Sequence, residues 1–266
     1  KRKIIGNLFL DITERIMKEL NFNEADWLLG QGTIYPDTIE SGGTKNADRI
    51  KTHHNRVDRI HDLIAKGLII EPIKELYKDE VRDIGLKLGL PENLVNRQPF
   101  PGPGLAIRCL CSEGNATTPQ KEVWNGYTLF KLPVQSVGVQ GDERSYKHPA
   151  VITVPPPHRG RLGGGYAAWP TLHDISPKFT NTHKDINRVL LLIAGDPTHL
   201  ELATQHRATL TKTRLELLRR LDALVNKIVF SDTDTKHIWQ MPVVLIPFGS
   251  KHGESLVIRP VESEEA

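Results

Sequence analysis

Trp27-Leu28-Leu29-Gly30-Gln31-Gly32-Thr33 reads as a short strand that runs into a glycine-bounded exit. Three consecutive apolar residues suit a buried strand, and the glycines let the backbone leave it along paths a side chain would obstruct. A strand is therefore expected over 27–29, its exit lying where open α/β sheets carry their ligand loops. Upstream, Ile4, Ile5, Leu8, Ile12, Ile16 and Leu20 recur at helical spacing and predict an amphipathic helix over 2–20, basic end first. Cations at a helix N-terminus oppose the macrodipole, which leaves Arg2 two roles, anion ligand or member of an exposed Lys/Arg cluster. Downstream, a helix over 56–66 leads through Gly67 into a strand over 68–73, and a further helix over 79–88 precedes a short one opened by Pro91. Strands alternating with helices predict a parallel α/β sheet.

Beyond residue 108 the texture changes. Strands are expected over 132–139, 189–194, 241–248 and 256–258, and one or two long charged helices over 201–227, which together describe an α+β domain. Pro99-Phe100-Pro101-Gly102-Pro103-Gly104 excludes regular structure and marks the boundary, dividing the chain into domains 1–105 and 106–266. The Pro-, Arg- and Gly-rich stretch over 155–165 reads as a surface insertion rather than an RNA contact.

The chain has 266 residues, 38% hydrophobic and 25% charged, enough to bury a core without disulfides. Its two cysteines, Cys109 and Cys111, are expected two apart on one strand, facing the same way, as reduced thiols of a cytoplasmic protein. A net charge of +3 suits an anionic small molecule at least as well as a nucleic acid, so nucleic acid is not an expected partner. The apolar runs over 189–194 and 241–248 fall far short of the ~20 residues of a membrane span. Lys1-Arg2-Lys3 before Ile4-Ile5 imitates a signal peptide, but Asn7 and Asp11 interrupt the apolar stretch. Starting without Met, the chain reads as cut from something larger.

Ser41-Gly42-Gly43-Thr44-Lys45-Asn46 invites a phosphate-loop reading but lacks the full Gly-x-x-x-x-Gly-Lys-Ser/Thr frame. Lys51-Thr52-His53-His54-Asn55 is a dense set of donors able to surround phosphate oxygens, or else a simple solvated polar loop. Adding His61 makes zinc conceivable, yet adjacent histidines face different ways and no carboxylate completes the spacing, so no metal site is assigned. Asp142, in the glycine turn after 137–140, suits a sugar or base, or a local ion pair with Arg144. Gln240 could present its amide to a purine edge or be an ordinary strand residue.

Taken together, these segments resemble glutamine-hydrolysing GMP synthetases. The resemblance rests on Lys1-Arg2-Lys3-Ile4-Ile5-Gly6, Gln31-Gly32-Thr33, Pro36-Asp37 with Ile39-Glu40-Ser41, residues 51–55, and Glu71-Pro72 with Lys78-Asp79-Glu80-Val81-Arg82. It continues through 99–108, 136–146 and Gln240-Met241-Pro242-Val243. It implies a parallel-sheet ATP pyrophosphatase (adenine nucleotide alpha hydrolase-like) portion over 1–105. Over 106–266 it implies a dimerisation and substrate domain of the longer, eukaryotic type, incomplete at its C-terminus, with a homodimer formed through it. The implied reaction uses ATP and Mg2+ to adenylylate the 2-oxygen of xanthosine monophosphate (XMP), after which glutamine-derived ammonia displaces AMP. By motif position Arg2, Asp142 and Gln240 correspond to residues that hold XMP, while Glu40, Lys51 and His54 lie in the lid over the reacting phosphates. The family's Ser-Gly-Gly-x-Asp-Ser ATP loop, its glutaminase domain and its closing Lys-Pro-Pro segment do not occur in these residues, so the chain reads as a fragment or as one with internal segments missing. Two other classes stay open: a non-catalytic nucleotide-binding or dimerisation module, and a tRNA-modifying adenylyltransferase, which would need a basic RNA surface.

Overall fold

A computed structural model describes residues 1–22, 26–40, 63–95, 104–114, 117–140, 143–153, 169–231, 235, 238 and 240–262. The chain forms two compact units, Lys1–Gly102 with Glu262–Ala266, and Pro103–Val261.

The first unit opens with α1 (Arg2–Glu19) and carries a parallel pair, β1 (Leu29–Gly30) beside β2 (Ile69–Ile70). Between and after these strands come α2 (Tyr35–Glu40), α3 (Lys78–Lys87) and α4 (Glu92–Val95). The strands are two residues each, shorter than expected, and the first is shifted to the end of the apolar run. Its Leu28 is exposed, while β2 is followed directly by a turn at Pro72. Asp79 and Glu80 in the first turn of α3 complement its dipole, and Glu80 Oε2 accepts from the Tyr77 N–H at 2.7 Å.

The apolar stripe of α1 requires a correction. Leu10 is the side chain of that helix that joins the core, with Ile69 and the partly buried Leu29, Leu63 and Ile64. Ile4, Leu8, Ile12, Ile16 and Leu20 are exposed. A two-residue parallel pair presents too little surface to cover the whole stripe, so the helix is seated on a neighbouring face.

The second unit is layered. Its sheet orders β3 (Gln120–Trp124), β4 (Tyr127–Lys131), β6 (Glu143–Thr153) and β5 (Ser136–Gln140), with β7 (Ile186–Leu191) parallel to β6. Strands β3, β4 and the β5–β6 arm pair antiparallel. On one face Leu129, Ala150, Ile152 and Ile186 pack against Ile175 and Phe179 of α6 (Trp169–Thr182). On the other, Phe130, Leu132 and Val151 meet Ile246 and Phe248 of β9 (Val243–Ile246) and β10 (Phe248–Gly249). Strand β11 (Ser255–Ile258) pairs antiparallel with β9, and its Val257 joins the same cluster. Val243 and Leu245 alternate to the opposite side of β9 and pack with Leu218 of α8 (Lys212–Ser231). Burial on both faces accounts for the unbroken apolar run of β9.

Several expectations for this unit are revised. The helix expected over 201–227 is interrupted. Asp196 caps α7 (Pro197–Leu202) by accepting from the Thr198 N–H at 2.9 Å, and β8 (Thr204–Gln205) then pairs with β10 before α8 begins. The strand expected over 132–139 begins only at Ser136, and that over 189–194 lies at Ile186–Leu191. Cys109 follows the short helix α5 (Leu105–Arg108) and makes a single parallel bridge to Leu245. It is buried whereas Cys111 is exposed, so the two thiols do not share an environment. Strands β3, β4 and β6 and helix α6 were not anticipated. Among the described residues no helix is long and apolar enough to cross a membrane.

Candidate functional site

In the first unit the chain leaves both parallel strands at their carboxyl ends, the side on which open α/β sheets bind ligands. The Gln31 N–H donates to Ile70 O at 2.9 Å, extending the pairing one residue past β1. The buried Thr33 hydroxyl then donates to Glu71 Oε1 at 2.6 Å and ties the two exits together. This pair joins two segments that the resemblance quotes separately. The direct signal was a carboxylate placed one residue after a strand. A Cβ built on Gly30 or Gly32 would meet nothing within 4 Å, so these glycines border open space rather than close packing. Beside them Gln31 Oε1 is buried without a hydrogen-bond partner. A buried acceptor left unmatched costs free energy until a donor reaches it, and a ligand N–H or O–H at this exit could supply one. The turn into α2 is closed locally by Ile34 N–H donating to Asp37 Oδ2 at 3.1 Å, and Tyr35 N–H ties it to the segment after β2 by donating to Leu76 O at 2.9 Å.

Of the residues singled out in the sequence, Arg2 is the first residue of α1 and Glu40 the last of α2. Lys51, His54 and Asp142 lie outside the described residues, as do His53 and His61. Among the described residues no three His, Cys, Asp or Glu side chains converge on a point where a metal ion could sit.

Gln240 belongs to the second unit. Its backbone exchanges hydrogen bonds with Val261, at 3.2 and 2.9 Å, and the Arg259 N–H donates to Pro242 O at 3.0 Å. The β9–β11 ladder thus continues beyond Val243, with Gln240 half-buried at its end. Asp142 falls in the connection between β5 and β6, whose register runs out to Gln140 opposite Glu143. The hairpin is anchored at its other end. Asn187 donates from Nδ2 to Ser136 O at 2.7 Å and accepts from the Ser136 hydroxyl at 2.8 Å, while Arg188 donates to Val137 O. Gly138 lets Asn187 approach, since a Cβ there would lie 2.8 Å from the Asn187 Cβ. The sequence reading missed Asn187 and Arg188, which carry no motif of their own.

A cleft of about 300 Å3 opens on the α6 face of the sheet beside Lys121, Glu122, Lys131, Phe179, His183 and Asp185. Its charges are matched locally: His183 Nε2 lies 3.1 Å from Glu122, Lys121 pairs with Glu201 at 2.6 Å, and Lys131 with Asp185. The Lys131 hydrogen bond holds the Asp185 carboxyl below its usual range despite some burial. None of the expected site residues lines this cleft.

No family model matches the chain. Compared with individual proteins, it is 46% identical over its whole length to the probable GMP synthase (glutamine-hydrolyzing) of Leptospira interrogans, of which it covers 44%. It is 31% identical to the probable GMP synthase of Caenorhabditis elegans across 98% of the chain, again 44% of that protein. The GMP synthase of Streptomyces avermitilis is 39% identical across 74% of the chain and 41% of its own length. The chain therefore spans less than half the length of these relatives. With such identity maintained from end to end, the chain belongs to the glutamine-hydrolysing GMP synthase family.

Proposed function

We propose that this chain supplies the lid and the XMP-binding part of an enzyme that makes GMP. ATP adenylylates the 2-oxygen of XMP, pyrophosphate departs, and ammonia derived from glutamine displaces AMP. The observation that carries the reading is the 46% identity over the full chain to a probable GMP synthase. Residues 1–105 are then the later part of an ATP pyrophosphatase domain. Residues 106–266 form a dimerisation and XMP-binding domain, through which two copies pair.

The residue types suit this chemistry. Attack on the α-phosphate builds charge on its nonbridging oxygens. Lys51 and His54 are donors that stabilise this charge, and Glu40 orients them within the lid. Closure of the lid excludes water that would hydrolyse the adenylylated intermediate. Gln31 Oε1 and the open space beside Gly30 and Gly32 supply an acceptor and close backbone approach for a nucleotide at the strand exits. Arg2, Asp142 and Gln240 hold XMP, the arginine by charge and the other two by hydrogen bonds. Bound together with ATP, Mg2+ would supply charge neutralisation of the pyrophosphate leaving group.

The test uses a full-length synthase carrying this chain, supplied with ammonium. Gln240→Ala should raise the KM for XMP roughly five- to hundredfold, the loss expected of a buried hydrogen bond of about 1–3 kcal/mol, while moving the KM for ATP less than twofold. Equal changes for both nucleotides would remove Gln240 from the XMP site.

A further inference from the structure

Among the described residues of the second unit, three arginines are buried or half-buried, and two of them are neutralised by carboxylates. Arg108 is paired with Asp222, and Arg214 with Glu254, which accepts from both Nε and Nη2. Arg188 has no carboxylate partner among the described residues. It donates to Val137 O, and its Nε is buried with no hydrogen-bond partner. Its neighbour in charge is another arginine. Burial, and then the proximity of Arg259, hold the Arg188 guanidinium below its ordinary value.

Strand periodicity explains how the two meet. Leu190 of β7 and Val257 of β11 both pack in the cluster between the sheet and the β9–β11 ribbon. Two residues earlier on β7 stands Arg188, and two residues later on the β11 side stands Arg259, each on the face that carries its apolar neighbour. The apolar seam between the layers thus ends in two cations. Arg259 is exposed, so the seam is open to solvent at this end. Gln240 lies on the same stretch of ladder, opposite Val261.

We propose that Arg188 and Arg259 form a binding site for a phosphate-class oxyanion. Arginine forks match tetrahedral oxyanions, and a dianion between two of them offsets their repulsion and satisfies the orphaned Nε. Two sources share this chemistry: free inorganic phosphate, and the phosphate group of a nucleoside monophosphate. The second rests on the nucleotide reading of the Gln240 end, and the first does not.

Calorimetric titration of a full-length synthase carrying this chain separates the possibilities. The probes are inorganic phosphate, XMP and xanthosine. The variants are Arg259→Gln, at an exposed position, and Arg188→Lys, which keeps the charge but loses the fork; unchanged melting temperatures verify their folding. Arg259→Gln should weaken the oxyanion ligand about ten- to hundredfold, the loss expected for a charged hydrogen bond, and leave xanthosine unaffected. Arg188→Lys should lie between the parent and Arg259→Gln. If XMP weakens and inorganic phosphate competes with it, the nucleotide's phosphate occupies the site. If inorganic phosphate binds through the arginines together with XMP, or in the absence of XMP binding, the source is free phosphate; in the latter case the anion site stands while the XMP assignment fails. If XMP binds and neither variant alters XMP or phosphate, the proposal is overturned although the XMP assignment survives. Failure of both phosphate and XMP to bind overturns both.

Discussion

Asp222→Ala should unfold the second unit at markedly lower temperature. Arg108 bridges three elements, lying in α5, pairing with Asp222 of α8, and donating to Val243 O of β9 at 2.9 Å. Its side chain is 1% exposed and that of Asp222 18%. Removing the carboxylate leaves a guanidinium that water reaches only through the space vacated. Truncating one partner of a buried pair costs about 3–5 kcal/mol, and the partial exposure of Asp222 places this case near the lower end. For a domain of this size about 3 kcal/mol corresponds to a fall in Tm of roughly 6–12 °C. The control is Glu216→Ala, which removes an i,i+3 partner of Arg219 that is half exposed and should cost under about 1 kcal/mol. Replacing both partners, as Arg108→Met with Asp222→Leu, should recover much of the loss because no charge is stranded. Differential scanning calorimetry of the 266-residue chain reads all three. An Asp222→Ala midpoint within about 2 °C of the Glu216→Ala control would refute the reasoning that the carboxylate is what makes burial of Arg108 tolerable.

Further predictions concern the hairpin, the cleft and the lid. Gly138→Ala should destabilise the second unit by about 1–3 kcal/mol in urea unfolding, because the new Cβ would overlap Asn187 at a point its rotamers cannot vacate; a change under about 0.5 kcal/mol would mean the strands separate freely. Asp185 has a lowered folded pKa, so its contribution to stability is present above the unfolded value of about 4 and is lost as pH falls through the folded one. Asp185→Asn should therefore be less stable than the parent at pH 6 and converge with it in strong acid, and a constant difference down to about pH 2 would exclude the Lys131 pair as its origin. Lys51→Ala in a full-length synthase should slow pre-steady-state AMP formation about a hundred- to thousandfold with little effect on XMP affinity, and a rate within about twofold of the parent would remove Lys51 from the mechanism.

Local signals made some elements legible. Six apolar positions at helical spacing located α1, and Pro91 marked the start of α4. Spacing alone could not say which side of α1 is covered, because that depends on the width of the sheet beneath it. The β3–β4 hairpin was missed although Asn125-Gly126 advertises it. Their φ values of 49° and 81° are the left-handed pair that a two-residue hairpin connection requires. The break in 201–227 had a weaker signal, since Thr204 and Gln205 leave helical structure to pair with β10, a partner more than forty residues away. The same nonlocality hid the site. Thr33 and Glu71 were each visible inside a motif, but their contact depends on β1 and β2 lying parallel in register.

Arg188 shows why charge pairing is a better guide than motif spacing in the second unit. Arg108 and Arg214 also lie in unremarkable sequence, and each is explained by a carboxylate that folding delivers from α8 or from the turn before β11. Such pairs constrain architecture, since stranding either charge in the interior is costly. Arg188 is half-buried at the junction of β7 with β5, where it meets a carbonyl and, among the described residues, no carboxylate. A purely structural role would be served as well by a neutral donor, as Asn187 demonstrates one residue away by holding Ser136 through its amide. Among the described residues the fold supplies no carboxylate for the charge of Arg188. Its placement with Arg259 at the open end of the seam points to a charge requirement set from outside the unit, while Asn187 and Gly138 keep the supporting strand in place.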